Sequence, residues 1–180
     1  MQFDLETRTA ALSVGEFASF QPGPREGDGG PSGIWRAQLG THWHRELQAR
    51  ASSEYGADAR FELSLSGRVQ HRGWTLTLTG RVDQFITRRD ESVIREVKSV
   101  LRPLPADEAA LRREHPDYFA QAAAYAALAR QGALATDLDA RSLGAVRTEL
   151  VFVEADSGLA QTIALTPADD AAFLVQLRSE

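Results

Sequence analysis

Two short runs hold the residues best suited to chemistry, GRVDQF at 80–85 and REVKS at 95–99. Both read as strand, where successive side chains alternate faces, so Glu96 and Lys98 point the same way. A tight loop from Thr87 to Ser92 joins the runs, and hairpin pairing then sets Asp83 opposite or diagonal to Glu96. Two carboxylates and an amine would share one spot on a sheet. Neighbouring carboxylates repel unless a cation lies between them, and oxygen ligands suit Mg²⁺ or Mn²⁺. The plain alternative is a cross-strand salt bridge between Lys98 and an acid, since structural ion pairs cluster charge as well. Lys98 is the only lysine in the chain; every other strongly basic side chain is arginine. Arginine is a planar, permanently charged fork, whereas lysine is a compact charge whose pKa can move. A lone lysine therefore marks a position where guanidinium does not serve, unless it survives by chance.

Several elements must position these groups. A helix is expected from about Ile34 to Glu54, because Trp35, Leu39, Trp43 and Leu47 recur at four-residue spacing. It carries GTHWH at 40–44. At about 100° per residue, His42 and His44 face nearly opposite sides and cannot share one ion. His44 falls at the border of the apolar stripe, from which it can reach toward the sheet, while His42 reads as an ordinary surface or core residue. Strands are expected around Phe61–Leu65, Leu76–Val82 and Ser92–Val100, with Arg72-Gly73 turning between the first two. Leu101 to Glu114 reads as a loop broken by Pro103 and Pro105. A helix follows from about Asp117 to Gln131, stopping near Gly132. On it Gln121 and Tyr125 share a face at i, i+4, a spacing equally consistent with ordinary packing beside Tyr118, Ala122 and Ala129. Residues 147–154 and 160–165 form a hairpin about Ser157-Gly158, and a last helix begins at Thr166-Pro167. Near the start, Ser13 caps a short helix over 13–20, and the Gly/Pro-rich stretch 21–33 reads as a mobile loop. The order predicts an α/β sandwich around a mixed sheet.

Composition narrows the function. The chain is 43% apolar and 25% charged, as expected of one folded domain with a sizeable core. It has no cysteine, which excludes disulfides, thiolate zinc sites, iron–sulfur clusters and a cysteine nucleophile. The net charge of −5 means that any nucleic-acid contact must rest on local basic charge. The loop at 21–33 lacks the GK[ST] ending of a phosphate-binding loop. No apolar run approaches the roughly 18 residues of a membrane span, and the N-terminus has neither a basic nor an apolar leader region. A soluble cytoplasmic domain is the expectation.

In chain order, GTHWH, GRVD, EVK and QAAAY resemble the PD-(D/E)XK nuclease superfamily in its RecB-type exonuclease branch. That branch is marked by a helix histidine, an Asp, a Glu-x-Lys and a Gln-x-x-x-Tyr. More narrowly, SVGEFASF, LGTHWHRELQAR, LTLTGRVDQF, IREVKSV, YFAQAAAYAAL and TELVFVEADSG are similar to the N-terminal nuclease domain of bacterial XPD/DinG-like DNA helicases. The resemblance implies a restriction-endonuclease-like αβββαβ core, a mixed central sheet flanked by helices, in one domain over 1–180. It implies a metal-dependent deoxyribonuclease, an exonuclease on single-stranded DNA in repair or recombination, fused to or partnered with a helicase. His44, Asp83 and Glu96, with the backbone carbonyl of Val97, would bind Mn²⁺ or Mg²⁺. Lys98 would be the catalytic lysine beside Asp83 and Glu96, and Gln121 and Tyr125 would border the site and touch DNA. Relatives with an iron–sulfur cluster use four cysteines, so this chain falls outside that subgroup. It carries no Walker motif, so it is expected to be either a stand-alone nuclease or the N-terminal domain of a larger helicase. Histidine is an unusual ligand for Mg²⁺, so Mn²⁺ should support activity at least as well. Arg81, with Arg88, Arg89, Arg102, Arg112 and Arg113 in nearby turns and loops, would form a basic rim that grips DNA. Two other readings stay open: a non-catalytic nuclease-like domain that binds DNA or a protein partner, and a small-molecule metalloenzyme, which would need a closed apolar pocket.

Overall fold

The structure, a computed structural model, describes residues 1–19, 31–130 and 145–166, with 31–39 as backbone only. A seven-stranded mixed sheet forms its centre. The chain opens with β1 (Gln2–Asp4) and β2 (Thr9–Ser13), then α1 (Val14–Ala18) and α2 (Pro31–Tyr55). After a 3₁₀ turn come β3 (Ala59–His71), β4 (Trp74–Thr87) and β5 (Glu91–Val100). Next are α3 (Glu108–Glu114), α4 (Pro116–Arg130), β6 (Ala145–Glu154) and β7 (Ala160–Ala164). The run α2-β3-β4-β5-α4-β6 is the expected αβββαβ core, with helices against a mixed sheet.

Local chemistry explains most element ends. Ser13 caps α1: its side chain accepts from the Glu16 N–H at 3.0 Å, and Glu16 reaches back to the Ser13 N–H at 2.8 Å, a reciprocal capping box. The β3–β4 hairpin turns through Arg72 (φ 45°) and Gly73 (φ 79°), the two positive φ values of a tight I′-type turn. Four expectations change. Residues 31–33 begin α2 rather than ending a loop. Residues 108–114 form α3, capped by Asp107 accepting from the Ala110 N–H at 2.9 Å. β1 and β2 add two strands where none was expected. Strands β3 and β4, at 13 and 14 residues, run well past their predicted cores. The expected helix after Thr166, the helix stop at Gly132 and the rest of the 21–33 loop, residues 21–30, lie outside the described residues.

The larger core lies between the sheet and α1 and α4, around Leu78, Phe85, Ile94, Leu128 and Phe152. Burying each such side chain stabilises the fold by roughly 1.5–3 kcal/mol. Helix α4 presents alanines at 122–124, 126, 127 and 129, all buried, which lets it lie close on the strands. Gly80 meets it most closely: a Cβ there would sit 2.5 Å from the Tyr125 ring. On the other face, Trp43 and Leu47 of α2 cover Val97, Val151 and Val153. The Trp43 indole N–H donates to the Ala155 carbonyl at 2.9 Å. Its ring lies against Gly158, where a Cβ would meet it at 2.2 Å. The β6–β7 turn thus locks the rotation of α2 one residue before His44.

Candidate active site

The site forms where β4 changes partners. Strand β3 follows β4 along one edge from Trp74 to Ile86. The other edge is therefore shared, by β2 over Thr75–Thr79 and by β5 over Gln84–Thr87. Gly80–Asp83 has no ladder partner on that edge. The β3 ladder also skips Asp83, because the opposing Glu62 takes a left-handed φ of 53°. Within β4, Asp83 is the residue with no register partner on either side, and its carboxylate turns into the opening between β4 and β5.

Two groups hold that carboxylate. The Val97 N–H donates to Asp83 Oδ2 at 2.7 Å, taking up a ladder donor that β4 no longer meets. In extended backbone the N–H and C=O of one residue leave the same edge, so the Val97 carbonyl faces the same opening. Across it, His44 Nδ1 lies 3.4 Å from Asp83 Oδ1. This contact raises the His44 pKa above its ordinary value despite partial burial, and the charges of Asp83 and Glu96 add to it.

Glu96 is the deeper acid, 2% exposed. Its Oε1 accepts from Lys98 Nζ at 2.9 Å and from Gln121 Nε2 at 2.9 Å. Its Oε2 is buried with no hydrogen-bond partner among the described residues. Burial pushes the Glu96 carboxyl up to about 7; the Lys98 charge works against this and Asp83 reinforces it. Burial alone would favour a neutral Lys98, but the adjoining Glu96 outweighs it and the ammonium is held above its usual range. The Lys98 Nζ also lies 5.3 Å from the centre of the Tyr118 ring, which stacks on His115 at 4.9 Å. Tyr118 thus does more than pack. Its spacing from Gln121 and Tyr125, i, i+3 and i+7, is the signal that places all three on one helix face.

The Gln-x-x-x-Tyr pair looks inward. Tyr125 is 3% exposed and its hydroxyl donates to the Arg81 carbonyl at 3.2 Å. That hydroxyl then accepts from Gln121 Nε2 at 3.3 Å, which fixes the amide so that it donates to Glu96. The two residues orient Glu96, and the expected DNA contact by Tyr125 has no exposed surface to rest on. The expected basic rim is largely neutralised. Arg81 pairs with Glu62 at 2.8 Å, Arg88 with Glu91 at 3.0 Å and Arg112 with Glu108 at 2.8 Å. Arg102 lies 2.7 Å from Glu114, off the hydrogen-bond direction. Only Arg89 and Arg113 of that set are exposed without a partner among the described residues. His42 packs edge-on against Trp43, away from the opening.

The donor set suits a hard divalent cation: two carboxylates, a carbonyl and an imidazole around an acid oxygen that no protein donor satisfies. As the side chains stand, no three His, Asp or Glu among the described residues form a ready-made cation cage. The acids fall into two linked pairs, His44–Asp83 and Glu96–Lys98, and Glu96 Oε2 is the open acceptor of the second among the described residues. The Lys98–Glu96 pair lies along one strand at i, i+2, so it is not the cross-strand bridge that was the plain alternative.

Residues 6–180 match the family model described as the PD-(D/E)XK nuclease superfamily, and the chain belongs to that superfamily. Members typically use divalent metals. The crystal structure of SSO0001 is similar at a TM-score of 0.50 and 19% identity, over 82% of this chain and 58% of that one. A candidate exonuclease from Eubacterium rectale is similar at a TM-score of 0.45 and 14% identity, over 76% of this chain and 49% of that one. At 19% identity the likeness to SSO0001 is one of fold, and this chain spans about half the length of those two proteins. No curated protein matches the sequence. No helix among the described residues is long and apolar enough to cross a membrane.

Proposed function

We propose that this chain is a metal-dependent deoxyribonuclease that hydrolyses DNA phosphodiester bonds at the opening between β4 and β5. One observation carries the reading: on adjoining strands, Asp83 is bound to the N–H of Val97, the residue between Glu96 and the sole lysine, with His44 on its other oxygen. In this assignment His44, Asp83, Glu96 and the Val97 carbonyl hold Mn²⁺ or Mg²⁺, which supplies Lewis-acid polarisation of a phosphate oxygen and eases deprotonation of water. The Val97 N–H and His44 fix the Asp83 carboxylate. Gln121, itself fixed by Tyr125, holds Glu96 Oε1 and leaves Oε2 free for the cation. Lys98, beside Glu96 at 2.9 Å, would orient the attacking water or offset charge building on the phosphoryl group.

The finer reading is an exonuclease acting on single-stranded DNA in repair or recombination, within the RecB-type branch and associated with an XPD/DinG-like helicase. No base-reading motif is legible in the sequence, which supports a substrate taken with little sequence preference. The test is cleavage of an end-labelled single-stranded oligonucleotide with Mn²⁺ and with Mg²⁺, beside Lys98→Ala. Cleavage by the wild type, lost at least about 100-fold in Lys98→Ala while oligonucleotide binding is retained, supports the enzyme. A wild type that binds DNA but never cuts with either metal leaves the non-catalytic binding domain as the reading.

A further inference from the structure

Helix α2 carries two stripes. Trp43, Leu47 and Ala51 are its sheet-facing side. Thr41, His44, Arg45 and Gln48 follow at i, i+3, i+4 and i+7, the spacing of a single helix face. This second face is polar and lines an open groove of about 480 Å³, with Glu62 of β3 among its lining residues. His44 belongs to the groove and to the Asp83 pair, so the groove opens directly onto the candidate site. The arginines expected to grip DNA are mostly paired with acids, whereas Arg45 is exposed and has no partner among the described residues.

We propose that this groove is the subsite for the nucleotide next to the scissile phosphate, with Arg45 holding that nucleotide's own phosphate. The inference rests on the phosphodiesterase reading of the adjoining site. A volume of this size accommodates one nucleotide. Glu62 is already tied to Arg81 at 2.8 Å, so that side of the groove is a closed ion pair and Arg45 is the groove's unpaired cation among the described residues. Gln48, one turn along from His44, supplies a neutral donor and acceptor beside it.

The test compares two substrates in Mn²⁺: a single-stranded oligonucleotide, and thymidine 5′-(p-nitrophenyl phosphate), which has one phosphodiester and no neighbouring phosphate. Arg45→Ala should raise KM for the oligonucleotide about tenfold or more, and its loss in kcat/KM should exceed that on the small ester by about the same factor. Its oligonucleotide binding should also lose about one unit of salt slope. Arg45→Lys should recover part of the loss, and Gln48→Glu should weaken the oligonucleotide selectively. Arg68→Ala, which removes the same charge from an exposed position far along β3, controls for net charge. Equal losses on both substrates, or an oligonucleotide loss no greater than that of Arg68→Ala, overturn the subsite. If the wild type cuts neither substrate, the catalytic reading has failed, and oligonucleotide binding by fluorescence anisotropy decides the subsite. Weaker binding by Arg45→Ala than by Arg68→Ala upholds it, and equal or absent binding overturns it.

Discussion

Replacing Glu96 by glutamine should uncouple stability from function, because Glu96 is held where its charge is costly. The carboxyl is 2% exposed and raised from 4.5 to about 7, with burial as the main cause. A folded-state pKa above the unfolded value means that the folded protein keeps a proton the unfolded chain sheds. The stabilisation is present below about pH 4.5 and is lost as pH rises through about 7. At 1.36 kcal/mol per pH unit of difference, the wild type should lose roughly 2–3 kcal/mol from this group between pH 5 and pH 8. Glutamine has no such proton to lose. Its weaker hold on Lys98 adds a constant offset, because the Lys98–Glu96 charge pairing that grows with pH is already contained in the Glu96 pKa, so the change with pH reports Glu96. Urea unfolding without divalent ions should show Glu96→Gln gaining roughly 2–3 kcal/mol on the wild type from pH 5 to pH 8, about 4–12 °C in Tm. Saturating Mn²⁺ should restore the wild type, by about 2.7 kcal/mol at one hundred times Kd, and leave the variant unchanged. Parallel pH profiles for the two proteins would refute the reasoning, since Glu96 would then ionise in the fold as freely as in the unfolded chain.

Two further outcomes follow from the same geometry. Gly158→Ala places a methyl group within 2.2 Å of the Trp43 ring at a φ of 74°, so it should cost roughly 2–4 kcal/mol by overpacking and backbone strain. It should also weaken Mn²⁺ binding measured calorimetrically, because the indole sets the rotation of the helix that carries His44. Mn²⁺ affinity should rise steeply from pH 6 to pH 8 with proton release, since His44 and Glu96 both have raised pKa values and both must be deprotonated to bind. A flat profile in calorimetry repeated across buffers would contradict their role as ligands.

What could be read from the residues was whatever obeys a period. Alternation put Glu96 and Lys98 on one face, and the β4–β5 ladder ends at Gln84 and Arg95, one residue short of Asp83 and Glu96. The helical angle separated His44 from His42. What stayed hidden depends on contacts between distant segments or on local exceptions. The left-handed Glu62, which frees Asp83 from its ladder, occurs at a residue type that gives no warning. Strand β2 is short and alternates weakly, Ala10 and Leu12 inward against Thr9 and Ala11, too faint a pattern to stand out. Helix α3 was masked by the prolines before it, although Asp107 was a legible cap. The arginine rim looked basic because partner acids such as Glu62 and Glu114 lie elsewhere in the chain. The polar stripe on α2 was legible at i, i+3, i+4 and i+7, but only the groove beside it gives that stripe a purpose.

The measurement that bears most directly on the account is the anomalous signal of Mn²⁺ in crystals soaked at pH 8. A single strong peak within coordination distance of His44, Asp83 and Glu96, with Glu96 Oε2 as a ligand and the Val97 carbonyl alongside, is the predicted result. Manganese found elsewhere on the protein, or no peak at this opening at saturating concentration, would contradict it.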